Sequence, residues 1–213
     1  MKKLFVFFFL IGFFGILGYS VWKNQSVVKN ILSPVSNQDS PFSMINAPKN
    51  SINGQITSIS GSVSWQSRVS ILPLVIKKPI EVQQGESLIT DKDGKVNVVF
   101  KNYAELNISS KSNISFIQTL PYNFVFGQND GVVDYKQVGE TPISIRALHL
   151  IAKMDSGELL ITVDKDNQKV NLKVIKGSMT VAFNDVDTIS QVIKVNSGQE
   201  LIYNDKSRET ALN

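Results

Sequence analysis

From about Ser51 onward the chain alternates apolar and polar residues with a period of two, the pattern of strands buried on one face. In KVNVVF, Val96, Val98 and Phe100 share one side while Lys95 and Asn97 take the other. YAELNI sets Ala104, Leu106 and Ile108 against Tyr103, Glu105 and Asn107. SGELLITV gives Leu159, Ile161 and Val163, and KVNLKV gives Val170, Leu172 and Val174. Dipeptides suited to tight turns punctuate these runs: Asn53-Gly54, Ser60-Gly61, Gln84-Gly85, Asp93-Gly94, Asp130-Gly131, Lys176-Gly177 and Ser197-Gly198. No comparable stretch carries a helical period. The pattern predicts an all-β, antiparallel-rich domain over residues 51–205, with about ten to fourteen short strands arranged as a sandwich, a barrel or a stacked β coil. A polar tail is expected over residues 206–213.

Ahead of this domain the pattern is different. Leu4 to Trp22 is apolar and uncharged, long enough to cross roughly 30 Å of hydrocarbon as one helix. Lys2 and Lys3 precede it and only Lys23 follows at once, which predicts a cytoplasmic N-terminus and an exported remainder. Tyr19 and Trp22 suit the membrane interface. A cleaved signal peptide would need a small-x-small site; the nearest, Gly18-Tyr19-Ser20, is followed by bulky Val21 and Trp22. Residues 1–23 therefore read as an uncleaved single-pass anchor. From 24 to 50, Asn, Ser, Gln and Pro dominate, and Pro34, Pro41 and Pro48 exclude a long helix. This segment reads as a tether that holds the domain off the membrane, in the cell envelope or periplasm.

Composition narrows the classes. A chain of 213 residues with 42% hydrophobic residues suits one folded domain with its own core. The absence of cysteine excludes disulfides, thiolate metal sites, a cysteine nucleophile and a lipoprotein anchor. Without Lys2, Lys3 and Lys23, the 22 basic residues fall to 19 against 18 acidic, so the exported part is almost neutral. The net basicity of the whole chain is a topology signal, and no basic stripe with interleaved aromatics points to nucleic acid.

Leu88 to Phe100, LITDKDGKVNVVF, returns about seventy residues later as LITVDKDNQKVNLKV, Leu160 to Val174. Each Asp-Lys-Asp cluster lies between alternating runs, which predicts a turn. A calcium loop would need three spaced acids and a distant Glu, and only Asp91 and Asp93 precede Gly94. Catalytic patterns are equally incomplete. Ser43-Met44 lacks the proline expected two residues after the Met in the serine-lysine peptidase motif, where Asn46 stands. Ser26-Val-Val-Lys29 has Ser-x-x-Lys spacing without its usual partners. His149 has no second ligand at metal spacing and reads as a partly buried strand or loop histidine. Arg146 suits a structural ion pair or a carboxylate grip. Trp65, Tyr122, Phe124 and Phe126 could form an aromatic platform, although strand aromatics mostly fill cores. No cofactor is expected.

The order of these blocks resembles the FecR-type extracytoplasmic domain. ISGSVSW, with Gly61 and Val63, is similar to its opening strand. VQQGESLITDKDGKVNVVFKNYAELNISSKSNISF is similar to its central block, at Gly85, Glu86, Leu88, Thr90, Asp91, Gly94, Val96, Val98, Phe100, Leu106 and Ile108. FVFGQNDGVVDY, with Gly127, resembles a later strand, and VNLKVIKGSMTVAF and IKVNSGQELIY, with Gly177 and Gly198, resemble the closing pair. The likeness spans Ile56 to Tyr203. In two places the chain departs from it: Ser156-Gly157 stands where the family has Gly-Thr, and three residues precede the apolar run where sigma-regulating members carry a cytoplasmic helical segment. The resemblance implies a non-catalytic sensory or binding module of envelope signalling, with a protein or envelope ligand as partner. It also implies a bacterial source, in which the sequons at Asn107 and Asn113 carry no glycan.

Overall fold

The computed structural model describes residues 45–213. The apolar run with Lys2, Lys3, Tyr19 and Trp22, most of the 24–50 segment, Ser26 and Ser43 lie outside the described residues. Among the described residues the chain forms fifteen strands and no helix. They are β1 (Gly54–Ser60), β2 (Val63–Gln66), β3 (Leu74–Ile76), β4 (Glu81–Val82), β5 (Ser87–Thr90), β6 (Lys95–Phe100), β7 (Ala104–Ile108), β8 (Asn113–Leu120), β9 (Asn123–Gln137), β10 (Ile143–Ala147), β11 (Leu150–Asp164), β12 (Lys169–Asn184), β13 (Ser190–Asn196), β14 (Glu200–Asn204) and β15 (Glu209–Leu212).

Three of these strands are unusually long, and they organise the rest. The first half of β9 pairs with β8 and β10, and its second half with β7 and β11. Likewise β12 takes β14 beside its first half and β13 beside its second. The sheet is therefore two runs of strands, β3-β2-β5-β8 and β4-β1-β6-β7, which share β9, β11 and β12. All pairings are antiparallel except that of β9 with β10. Because β9, β10 and β11 pair in a ring, the ladder closes into a barrel-like core, and the remaining strands extend from it.

Alternation explains which faces meet. Val96, Val98 and Phe100, Ala104, Leu106 and Ile108, Leu159, Ile161 and Val163, and Val170, Leu172 and Val174 are all buried, as their period predicts. Aromatic contacts join the two runs across the core. Phe100 of β6 has its ring centroid 5.5 Å from those of Phe116, Phe124 and Phe126, and Phe183 lies 5.1 Å from Tyr203.

The structure differs from the sequence pattern at Gly54, Gly131 and Gly177 and at the C-terminus. Asp130-Gly131 and Lys176-Gly177 are not turns between strands. They are bends inside β9 and β12, where positive φ at Gly131 and Gly177 turns the strand while the ladder continues on both sides. Gly157 opposes Gly177 in register with φ of +119°, so two glycines bend the hairpin β11–β12 together. Gly54 opens β1 and packs against Phe100 and Val82. Beyond residue 205 the expected polar tail instead folds back as β15 along β14, because strand pairing needs only backbone groups and a compact turn.

Candidate functional site

The sequence motifs converge on one margin of the domain, where successive strands turn the corner between the two runs. Gly61 and Ser62 connect β1 to β2, Asp91 to Gly94 connect β5 to β6, Ser109 to Ser112 connect β7 to β8, and Gly131 bends β9. Hydrogen bonds stack these corners in a file. Asp91 N donates to Ser62 O at 3.0 Å, Lys111 N to Asp91 O at 3.0 Å, and Ser109 N to Val132 O at 3.0 Å. Side chains complete the stack. Ser62 Oγ donates to Asp91 Oδ2 at 2.7 Å, and Asp93 Oδ1 accepts from Ser62 N at 3.4 Å. Buried Thr90 donates its hydroxyl to Ser109 O at 2.6 Å and accepts from Ser112 N at 2.9 Å. Ser112 Oγ in turn accepts from Val132 N at 3.0 Å.

Thr90, Asp91, Gly61 and Gly94 thus share one assembly, and each does a different job there. A side chain at Gly61 would collide with the Asp93 carbonyl, and one at Gly94 with the Ser62 carbonyl. Behind the stack, buried Gln128 donates to Gly131 O at 2.8 Å and Ile161 O at 3.1 Å, and accepts from Tyr135 OH at 3.1 Å. Burial drives the Tyr135 phenol well above its ordinary value.

The other motif glycines lie elsewhere. Gly85 takes positive φ ahead of Glu86, a nearly buried carboxylate that accepts from Trp65 Nε1 at 2.9 Å and Gln83 N at 2.8 Å. Gly127 lets β9 approach Ser115 and Ile117 of β8 closely. Gly177 bends β12, and Gly198 takes positive φ in the turn before β14.

The outer side of the stacked corners is an open groove of about 580 Å³, lined by Asp91, Lys92, Asp93, Lys111, Asp130 and Lys165 among others. Both copies of the repeated cluster reach it, the first through Asp91 to Asp93 and the second through Lys165. Their acids do not converge on a cation. Asp91 and Asp93 are engaged by Ser62, and Asp130 Oδ1 accepts from Lys165 N at 3.3 Å. Among the described residues no group of three metal-ligating side chains forms. The hydroxyls of Ser62, Thr90 and Ser112 are all taken up within the stack, by Asp91, by Ser109 and Ser112, and by Val132. The groove presents three carboxylates and three ammonium groups, a charge-balanced polar surface.

His149 occupies the β10–β11 turn and is exposed, not partly buried as the sequence suggests. Its Nδ1 lies 2.9 Å from Asp205 Oδ2, and its backbone N donates to Asp205 Oδ1 at 3.2 Å. Tyr203 OH donates to the same oxygen at 3.0 Å. Burial by itself would raise the Asp205 carboxyl. The hydrogen bonds from His149 and Tyr203 outweigh it and hold the group below the ordinary carboxylate value. No sequence signal links His149 to Asp205, 56 residues apart. Arg146 is exposed, without an ion pair among the described residues. The four candidate platform aromatics separate: Phe124 and Phe126 are core, Tyr122 is exposed, and Trp65 is half-buried beside Glu86.

No protein family matches the chain, and no curated protein does. Among solved structures it is similar to two crystal structures named "putative anti-sigma factor" from Parabacteroides distasonis ATCC 8503. One has a TM-score of 0.52 at 10% identity, covering 60% of this chain and 58% of that one. The other has a TM-score of 0.49 at 11% identity, covering 59% and 57%. The chain thus spans less than three fifths of the length of these solved chains, and what it shares with them is the fold.

Proposed function

We propose that the chain is a membrane-anchored, extracytoplasmic FecR-like β domain that binds a protein or envelope ligand in cell-envelope signalling and performs no catalysis. The observation that carries this is the convergence of Gly61, Thr90, Asp91 and Gly94, the residues of the FecR-like blocks, into one stack of corners. The likeness in fold to the Parabacteroides chain at a TM-score of 0.52, named as an anti-sigma factor, supports it. The uncharged run from Leu4 to Trp22, with Lys2 and Lys3 ahead of it, supports an extracytoplasmic domain.

Crosslinking and pulldown of the full chain from its native membrane, with a chain lacking Leu4 to Trp22 as comparison, tests the proposal. Recovery of an inner-membrane protein with a cytoplasmic regulatory domain is the expected result. Failure to recover any specific partner would sink it. A second reading, an assembly scaffold that pairs through its edges, is favoured by one observation: Val186, Ile189 and Val192 are exposed at the β13 margin. A strictly monomeric protein in light scattering would remove that reading.

A further inference from the structure

The segment from Val69 to Val75 is the densest run of exposed apolar side chains among the described residues. Val69, Ile71, Leu72, Leu74 and Val75 are all exposed, Ile71 to 91% and Leu72 to 72%. Single exposed apolar residues are ordinary, whereas a contiguous cluster marks an interaction surface. Leu74 and Val75 point to opposite faces of β3, and neither face is covered. β3 pairs only with β2 and stands at the margin of the sheet.

The charges beside this cluster have one sign. Lys77 and Lys78 follow it directly, both exposed and without an ion pair among the described residues. The exposed apolar residues at the β13 margin have Asp185 and Asp187 for neighbours instead. A peptide strand added along β3 is disfavoured, because β3 is three residues long and Pro73 and Pro79 bracket it. The chain also reaches β1 at this margin. Gly54 pairs with Val82, and Asn53 Nδ2 donates to Glu81 Oε2 at 3.3 Å, only a few residues beyond Lys78.

We propose that residues 69–78 form a lipid-docking loop. Val69, Ile71, Leu72, Leu74 and Val75 enter the boundary between headgroups and acyl chains, and Lys77 and Lys78 bind the phosphates of anionic lipids. Each lysine at an anionic surface strengthens the attraction about fivefold. The inference rests on the proposed anchorage and goes beyond it: the domain lies against its own membrane instead of swinging free on a tether.

The chain has no cysteine, so Leu72→Cys gives a unique site for the fluorophore NBD. The labelled full chain is reconstituted into vesicles of phosphatidylethanolamine and phosphatidylglycerol, or of phosphatidylcholine alone. In the anionic vesicles the emission at position 72 should shift to the blue and be quenched by acyl-chain doxyl lipids. The same label at exposed position 206 should stay in water. The double variant Lys77→Glu, Lys78→Glu should lower the inserted fraction more than about tenfold. An emission at 72 indistinguishable from that at 206, in chains that float with the vesicles, overturns the docking loop alone. Failure of the full chain to float overturns the anchorage and the loop with it. Shielding that depends on protein concentration rather than on lipid assigns the patch to a second copy of the chain, and overturns the proposal.

Discussion

Gly61 and Gly198 both hold positive φ, +66° and +85°, yet replacing each by alanine should have unequal effects. Alanine in the left-handed region costs about 1 kcal/mol at either position. At Gly198 that is the whole cost, because nothing lies within 4 Å of the new methyl group. At Gly61 the methyl carbon would lie 2.5 Å from the Asp93 carbonyl carbon, about 0.9 Å short of the 3.4 Å at which ordinary contact begins. Relief requires the turn at Asp91 to Gly94 to move away from Ser62. That motion strains three bonds: Asp91 N to Ser62 O, Ser62 Oγ to Asp91, and Ser62 N to Asp93. Losing two of them at about 1 kcal/mol each brings Gly61→Ala to roughly 3 kcal/mol. In a domain of this size each kcal/mol moves Tm by about 2–4 °C, so the expected drops are about 6–12 °C for Gly61→Ala and about 2–4 °C for Gly198→Ala. Thermal unfolding of both variants by circular dichroism, at one scan rate and pH, measures them. Equal drops would refute the reasoning, since backbone conformation alone would then account for both glycines.

Thr90→Val keeps the shape but leaves Ser112 N and Ser109 O without their partner; it should cost about 2 kcal/mol, with Thr90→Ser recovering most of it in the same denaturation assay. Asp205 is held below its ordinary value, so its contribution is complete above about pH 4 and is lost as pH falls further. Melting curves of Asp205→Asn should therefore show a shallower loss of Tm below about pH 4 than the parent, and parallel curves there would contradict the assignment. The Tyr203 phenol is pushed up to about 12 by burial first and its bond to Asp205 second. Its contribution is present below about pH 10 and lost above, so Tyr203→Phe should flatten the alkaline fall in Tm, apart from the share that Tyr135 retains.

Local alternation made much of the fold readable, and the limits of that reading are physical. Val96 to Phe100 or Val170 to Val174 reveal their buried face because one side of each strand meets the core. Asp130-Gly131 and Lys176-Gly177 use the same dipeptide chemistry as a hairpin turn, and only the partner strand decides whether the chain reverses or bends and continues. β15 was hidden because Glu209 and Thr210 have no apolar period and bind through backbone groups. The stacked corners were half visible: Gly61, Thr90, Asp91 and Gly94 stand out in the motif, but Ser62, Ser112 and Gln128 join them only through tertiary contacts. Nor does the run from Ile71 to Ile76 announce its exposure, because an unbroken apolar stretch has no period to say which side is covered.

The three long strands also govern how this domain can open. Because β9, β11 and β12 each serve both runs of the sheet, neither run can detach while the other stays intact. Local fluctuations are then confined to the margins, such as β3, β4 and β15, while the interior amides exchange together in a single cooperative event. For a protease this means a choice of two substrates, a frayed rim or a wholly unfolded chain, with no half-open domain between them.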